Sequence, residues 1–156
     1  MLVEATDDDF AALLDGQAPR GLRLPDSPVG SPEVLGMLRD LANTIRAAFA
    51  PASWMIVEHG ELVGLCSLVK APANGEIAIG YGIAETRRRL GFASAAVASL
   101  LDWARRDDRV TMVRAETSVG NLPSQRTLDC NGFQQTGTRS DEEDGDLICW
   151  AVSTAR

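Results

Sequence analysis

Residues 76–106, EIAIGYGIAETRRRLGFASAAVASLLDWARR, switch their apolar period from two to a spacing of three and four across one short turn. That switch specifies a strand followed by a helix, so the chain must fold in layers with the helix against a sheet. In the predicted strand, Ile77, Ile79, Tyr81 and Ile83 point to one face, while Glu76, Ala78, Gly80 and Gly82 point to the other. The first face is large, which places Tyr81 in the core. The second is nearly bare, and glycines in a strand are usually justified by close approach of a backbone or a ligand. The helix buries a stripe of Ala93, Ala96, Val97, Leu100, Leu101 and Ala104.

The rest of the chain supplies partners for this unit. MLVEAT suits a short strand and DDDFAALL a short helix capped by its aspartates. Asp15 to Pro32, rich in Gly and Pro, is a loop. Ser31 as N-cap, Pro32 and Glu33 open a helix carrying Leu35, Leu38, Ala42, Ile45 and Phe49, which Pro51 ends. SWMIVEH and LVGLCSLVK read as a hairpin turning at Gly60-Glu61. RVTMVRAETS is a strand, and NLPSQRTLDCNGF a short helix closed by Gly132. FQQTGTR and LICWAV form a last hairpin around the acidic SDEEDGD. This order gives a mixed α/β sheet with helices on both faces, read as one domain over residues 1–156.

Composition narrows the function. A net charge of −7 argues against a general nucleic-acid surface, and no apolar run is long enough to cross a bilayer. The acidic N-terminal segment lacks the basic character of a targeting signal, so the expected location is cytoplasmic. Cys66, Cys130 and Cys149 are odd in number and widely spaced, as expected of reduced structural thiols. With one histidine, His59, in a turn, a metal site is not expected. Trp54, Trp103 and Trp150 lie in apolar-periodic segments and are assigned to the core.

Arg87, Arg88 and Arg89 sit where a helix N-terminus disfavours cations. Gly91, Phe92, Ala93 and Ser94 follow with little side-chain bulk over most of the unpaired N–H groups. The combination is an anion cradle, and the arginines fit a ligand that carries phosphates. A P-loop would need Gly-Lys-Ser/Thr, and a dinucleotide fold needs glycines at another spacing; neither is present. An unrelated phosphate-rich nucleotide binder stays open on these residues alone.

Arg88-Arg89-Leu90-Gly91-Phe92-Ala93 resembles the Arg/Gln-x-x-Gly-x-Gly/Ala motif of the GNAT N-acetyltransferase superfamily, and AETSVGNLPSQRTLDCNGF resembles the Asn-x-x-Ser and terminal Gly-Phe pattern of its branch of ribosomal-protein N-terminal acetyltransferases. The resemblance implies the acyl-CoA N-acyltransferase fold, a mostly antiparallel sheet splayed between the fourth and fifth strands. It also implies acetyl-CoA as co-substrate, with no metal, and an amine acceptor: a small molecule or a peptide N-terminus. A homodimer is left open, and neither nucleic acid nor membrane is an expected partner.

By the same matching, Tyr81, Gly82 and Ile83 would meet the pantetheine arm through their backbone. The amides of Arg89, Leu90, Gly91, Phe92, Ala93 and Ser94 would hold the pyrophosphate, with Arg88 beside it. Asn121 would contact the arm, and Ser124 would lie near the sulfur. Transfer requires an uncharged amine and hence a base. Glu76 is the first candidate, from its face, and Glu116 the second. Many relatives carry a tyrosine seven residues after the helix-opening asparagine as general acid to the thiolate. Here that position is Leu128, which leaves Ser124 or water for the task and keeps a non-catalytic acyl-CoA sensor as the alternative.

Overall fold

In a computed structural model, which describes residues 1–155, seven strands form one mixed sheet in the order β1-β2-β3-β4-β5-β7-β6. These are β1 (Leu2–Glu4), β2 (Ser53–Glu58), β3 (Glu61–Leu68), β4 (Glu76–Ile83), β5 (Met112–Ser118), β6 (Gln134–Asp141) and β7 (Gly145–Ser153). All neighbours are antiparallel except β4 and β5. The parallel pair runs in register only from Glu76 opposite Met112 to Ile79 opposite Ala115. Beyond it β4 continues to Ile83 and β5 to Ser118 without pairing, so the sheet opens into a V at its centre.

Four helices cover the sheet: α1 (Asp7–Leu14), α2 (Pro32–Arg46), α3 (Phe92–Arg106) and α4 (Leu122–Cys130). Helices α1 and α2 pack on each other, and α2 reaches β3; α3 packs on α4 and on β4. Trp54 and Trp103 meet edge to face at 5.1 Å, which fixes α3 on the Trp54 side of the sheet. Both Trp54 and Trp150 are buried, and Trp150 satisfies its indole N–H on Thr117 Oγ1 at 3.0 Å. Trp103 is half-buried, between Trp54 and Phe49.

The local chemistry explains the element bounds. Thr6 and Asp9 form a reciprocal capping box at the start of α1. Buried Asp9 also receives Arg20 Nε at 3.0 Å and Nη2 at 2.6 Å, and this clasp folds the predicted loop, with a short 3-10 turn at Pro19–Gly21, back onto α1. Ser31 caps α2 as expected. The helix stops at Arg46 rather than reaching Phe49, because Ala48 and Phe49 both donate to Ile45 O and tighten the chain into a turn.

The first hairpin turns at His59-Gly60, not at Gly60-Glu61, since Glu58 pairs with Glu61 and both turn residues take positive φ. The cysteines are free, but only Cys66 is buried; Cys130 is exposed at the end of α4. No helix among the described residues is long and apolar enough to cross a membrane.

Candidate active site

A cleft of about 890 Å³ lies where β4 leaves β5, between the first turns of α3 and α4. Tyr81, Gly82 and Ile83 line one side, Arg88, Arg89, Gly91, Phe92, Ala93 and Ser94 the floor, and Asn121 and Ser124 the other side. Leu90, from the predicted set, turns its side chain outward, 60% exposed, and contributes only backbone to this turn. Sequence reasoning missed Pro123, Arg126 and Thr127 of α4, which share the cleft. Their signal was the helical spacing that brings Ser124 and Thr127 to one side.

The floor has unusual polarity. Gly91 takes φ +81° as the cap of α3, and Arg89 φ +66°, so the chain reverses twice before the helix begins. The amides from Arg89 to Ser94 find no acceptor among the described residues, and the first to be satisfied is Ala95, which donates to Gly91 O at 3.1 Å. Six successive donors at a helix N-terminus form a site for an anion.

The three arginines divide their work. Arg87 also lines the cleft, but its guanidinium is already paired: Nε and Nη2 clasp Glu61 at 2.5 and 3.0 Å, and Nη1 reaches Asp26 Oδ1 at 2.9 Å. Ser27 and Thr86 are joined at 2.7 Å, which fastens the loop before α2 to the same turn. Arg88 directs Nε to Ile83 O at 3.1 Å, tying the turn to the end of β4. The basic run thus serves structure in part, which single-residue spacing could not reveal.

On the far side of the V lies a smaller recess of about 270 Å³, bounded by Gly80, Glu116, Thr117, Arg139 and Asp144. Tyr81, Asn121 and Ser124 are the residues common to both cavities. Asn121 caps α4 by accepting the Ser124 N–H at 3.2 Å. Tyr81 does not end in the core: its ring packs there, but its hydroxyl meets Ser124 Oγ at 2.9 Å in the junction. Gly80 borders the recess, and a Cβ there would come within 3.0 Å of Val69 Cγ1, a tight contact with a side chain of the protein itself.

The two carboxylates are placed differently. Glu76, at the start of β4, is held by Arg114 Nε and Nη2 at 2.9 and 3.0 Å and borders neither cavity. Glu116 borders the recess and is gripped by Arg139 through Nε and Nη2. Each arginine, chiefly by hydrogen bonding, holds its carboxyl below the ordinary glutamate range. Both are therefore ionised at neutral pH and weakly basic. Among the described residues no cluster of His, Cys, Asp or Glu could hold a metal ion.

Comparison with known proteins identifies the family and the fold. The model of the acetyltransferase (GNAT) domain family matches residues 1–134, and the chain belongs to that family. It is 36% identical over 84 residues, 52% of its length, to the Bacillus subtilis protein named uncharacterized N-acetyltransferase YjdG. It is 28% identical over 112 residues, 71% of its length, to uncharacterized N-acetyltransferase p20 of Bacillus licheniformis. These matches span 50% and 62% of the two relatives. The fold is shared with RimL, a ribosomal alpha-N-protein acetyltransferase solved with coenzyme A, at TM-score 0.75 and 20% identity over 97% of this chain and 92% of that one.

Proposed function

We propose that the protein transfers the acetyl group of acetyl-CoA to a primary amine. The observation that carries this is the row of six unpartnered amides, Arg89 to Ser94, opening onto the gap between β4 and β5. Those amides would hold the pyrophosphate, with Arg88 and Arg89 adding charge beside them. Tyr81 to Ile83 and Asn121 would line the pantetheine arm in the V, which would leave the thioester near the junction of the two cavities. The coenzyme complex of RimL supports this placement at the level of fold. When bound, the coenzyme supplies an activated acyl group.

The acceptor enters from the recess. Glu116 stands at its mouth with Asp144, and an ionised carboxylate there draws in and orients an ammonium. Pairing with Arg139 makes Glu116 a weak base, so the proton passes to water at its side rather than being held. Glu76, outside both cavities, has no part in this path. A free amine then adds to the thioester carbonyl, the oxyanion is stabilised by a strand N–H, the C–S bond breaks and the thiolate leaves.

The pairing of both ionised carboxylates with arginines favours one other reading, a module that binds acyl-CoA without turning it over. Free thiol released from acetyl-CoA, measured across a panel of small amines and N-terminal peptides, decides between them. Amine-dependent release supports transfer. Calorimetric binding of CoA without release supports the module, and stabilisation by ATP or NAD without any by CoA removes both.

A further inference from the structure

Departure of the thiolate needs a proton, and the structure raises the question of its source. The position seven residues after Asn121 is Leu128, which is fully buried and offers no hydroxyl to the cleft. Ser124 lies at the junction, but an aliphatic hydroxyl is a much weaker acid than a thiol and cannot by itself protonate a thiolate favourably. A phenol, near pKa 10, is only modestly weaker than a thiol near 8.5, so a proton passes from it to a thiolate at small cost.

One phenol is in reach. Tyr81 is the only tyrosine of the chain, its ring is fixed against the core, and its hydroxyl lies 2.9 Å from Ser124 Oγ. Ser124 is itself held by the Asn121 cap. A serine oxygen that accepts from Tyr81 has its own proton free to point into the cleft.

We infer that Tyr81 is a positioning and proton-supplying residue that acts through Ser124, replacing from β4 the hydroxyl that Leu128 does not provide on α4. This rests on the acetyl transfer proposed above. As the C–S bond breaks, the electron pair goes to sulfur. Ser124 Oγ–H gives its proton to the thiolate, and Tyr81 gives its own to Ser124. The tyrosinate recovers a proton from water, while the proton lost by the attacking amine has gone to solvent, so the overall products are amide and free thiol. Burial, partly offset by the bond to Ser124, raises the Tyr81 hydroxyl above its ordinary value, so the protonated form prevails across the neutral range.

The test compares Tyr81→Phe, Ser124→Ala and the double variant with the parent protein, reading kcat, KM for acetyl-CoA, calorimetric Kd for CoA and Tm. The expected result is a ten- to hundredfold fall in kcat for Tyr81→Phe, about the lower range for acid catalysis, with KM and Kd within about threefold. Because the two hydroxyls act in series, the double variant falls no further than Ser124→Ala. Losses that multiply in the double variant, or a kcat for Tyr81→Phe within twofold of the parent, overturn the inference while leaving acetyl transfer intact. A parent protein with no turnover and no CoA binding overturns the proposed function instead. Should Tyr81→Phe lower Tm markedly, Ser124→Ala decides alone: parental kcat there refutes the relay.

Discussion

Gly64 lies in β3 opposite Ile83, and a Cβ built on it would sit 2.2 Å from the carbonyl oxygen of Gly82 and 2.9 Å from Ile83 Cδ1. Contacts of a Cβ atom essentially never fall below 3.0 Å, so Gly64→Ala must move backbone by about 0.8 Å at the first contact. No side-chain rotation relieves it, because the obstacle is a strand carbonyl. Overpacking of this kind costs about 1–3 kcal/mol. For a chain of this length each kcal/mol shifts Tm by roughly 2–4 °C, so differential scanning calorimetry should find a drop of about 4–8 °C for a cost of about 2 kcal/mol. Gly82 also lines the larger cleft, so CoA affinity should fall along with stability. Gly36→Ala in α2 is the control, since a Cβ there meets nothing within 4 Å. Relief of helix-interior glycine should raise Tm by about 1–4 °C, from roughly 0.5–1 kcal/mol. A Tm for Gly64→Ala within about 1 °C of the parent would refute the reasoning, and so would equal shifts for the two substitutions.

Gly91→Glu should abolish calorimetric CoA binding, since it combines bulk at φ +81° with negative charge beside the six free amides; unchanged affinity would remove the anion site. Asp9 contributes to acid stability: burial pushes its carboxyl up, but Arg20 and Thr6 outweigh that and hold it below the ordinary aspartate value. Its stabilisation is present above the unfolded pKa and lost as pH falls below about 4, so Asp9→Asn should flatten the acid limb of a Tm-against-pH curve; an unchanged limb would contradict the assignment. Cys66, its thiol pushed up to about 12 by burial, should resist alkylation of the native protein, whereas exposed Cys130 should react first; mass-spectrometric mapping that finds the reverse order would show the core to be open.

Much of the architecture could be read along the chain because its cues were local. The bounds of β4 follow from strict alternation ended by Ala84, and those of α3 from Gly91 and the small residues after it. Ser31, Asn121 and Gly132 mark helix ends through side chains or backbone freedom of their own. What stayed hidden depends on residues far apart in sequence. Arg87 finds Glu61 and Asp26 only once the loop before α2 is laid beside the start of β3. Glu76 shares a face with Gly80, as alternation requires, yet the parallel register sets it diagonally beside Arg114, which captures it. Tyr81 was assigned by its face, and a face says where a ring goes, not what its hydroxyl meets. The hairpin turn moved by one residue because pairing of Glu58 with Glu61, rather than the glycine alone, fixes it.

The V between β4 and β5 carries a liability besides its chemical use. Two strand margins with unsatisfied polar groups face each other in the middle of a sheet, and such margins invite pairing with other chains. The outer strand β6 is defended by polar, exposed residues such as Gln134, Thr138 and Arg139, whereas the inner gap is flanked by the first turns of α3 and α4. A coenzyme arm seated there would act as a removable splint, adding stability in proportion to RT ln(1 + [L]/Kd). The supply of coenzyme would then set how long the protein survives as well as how fast it works.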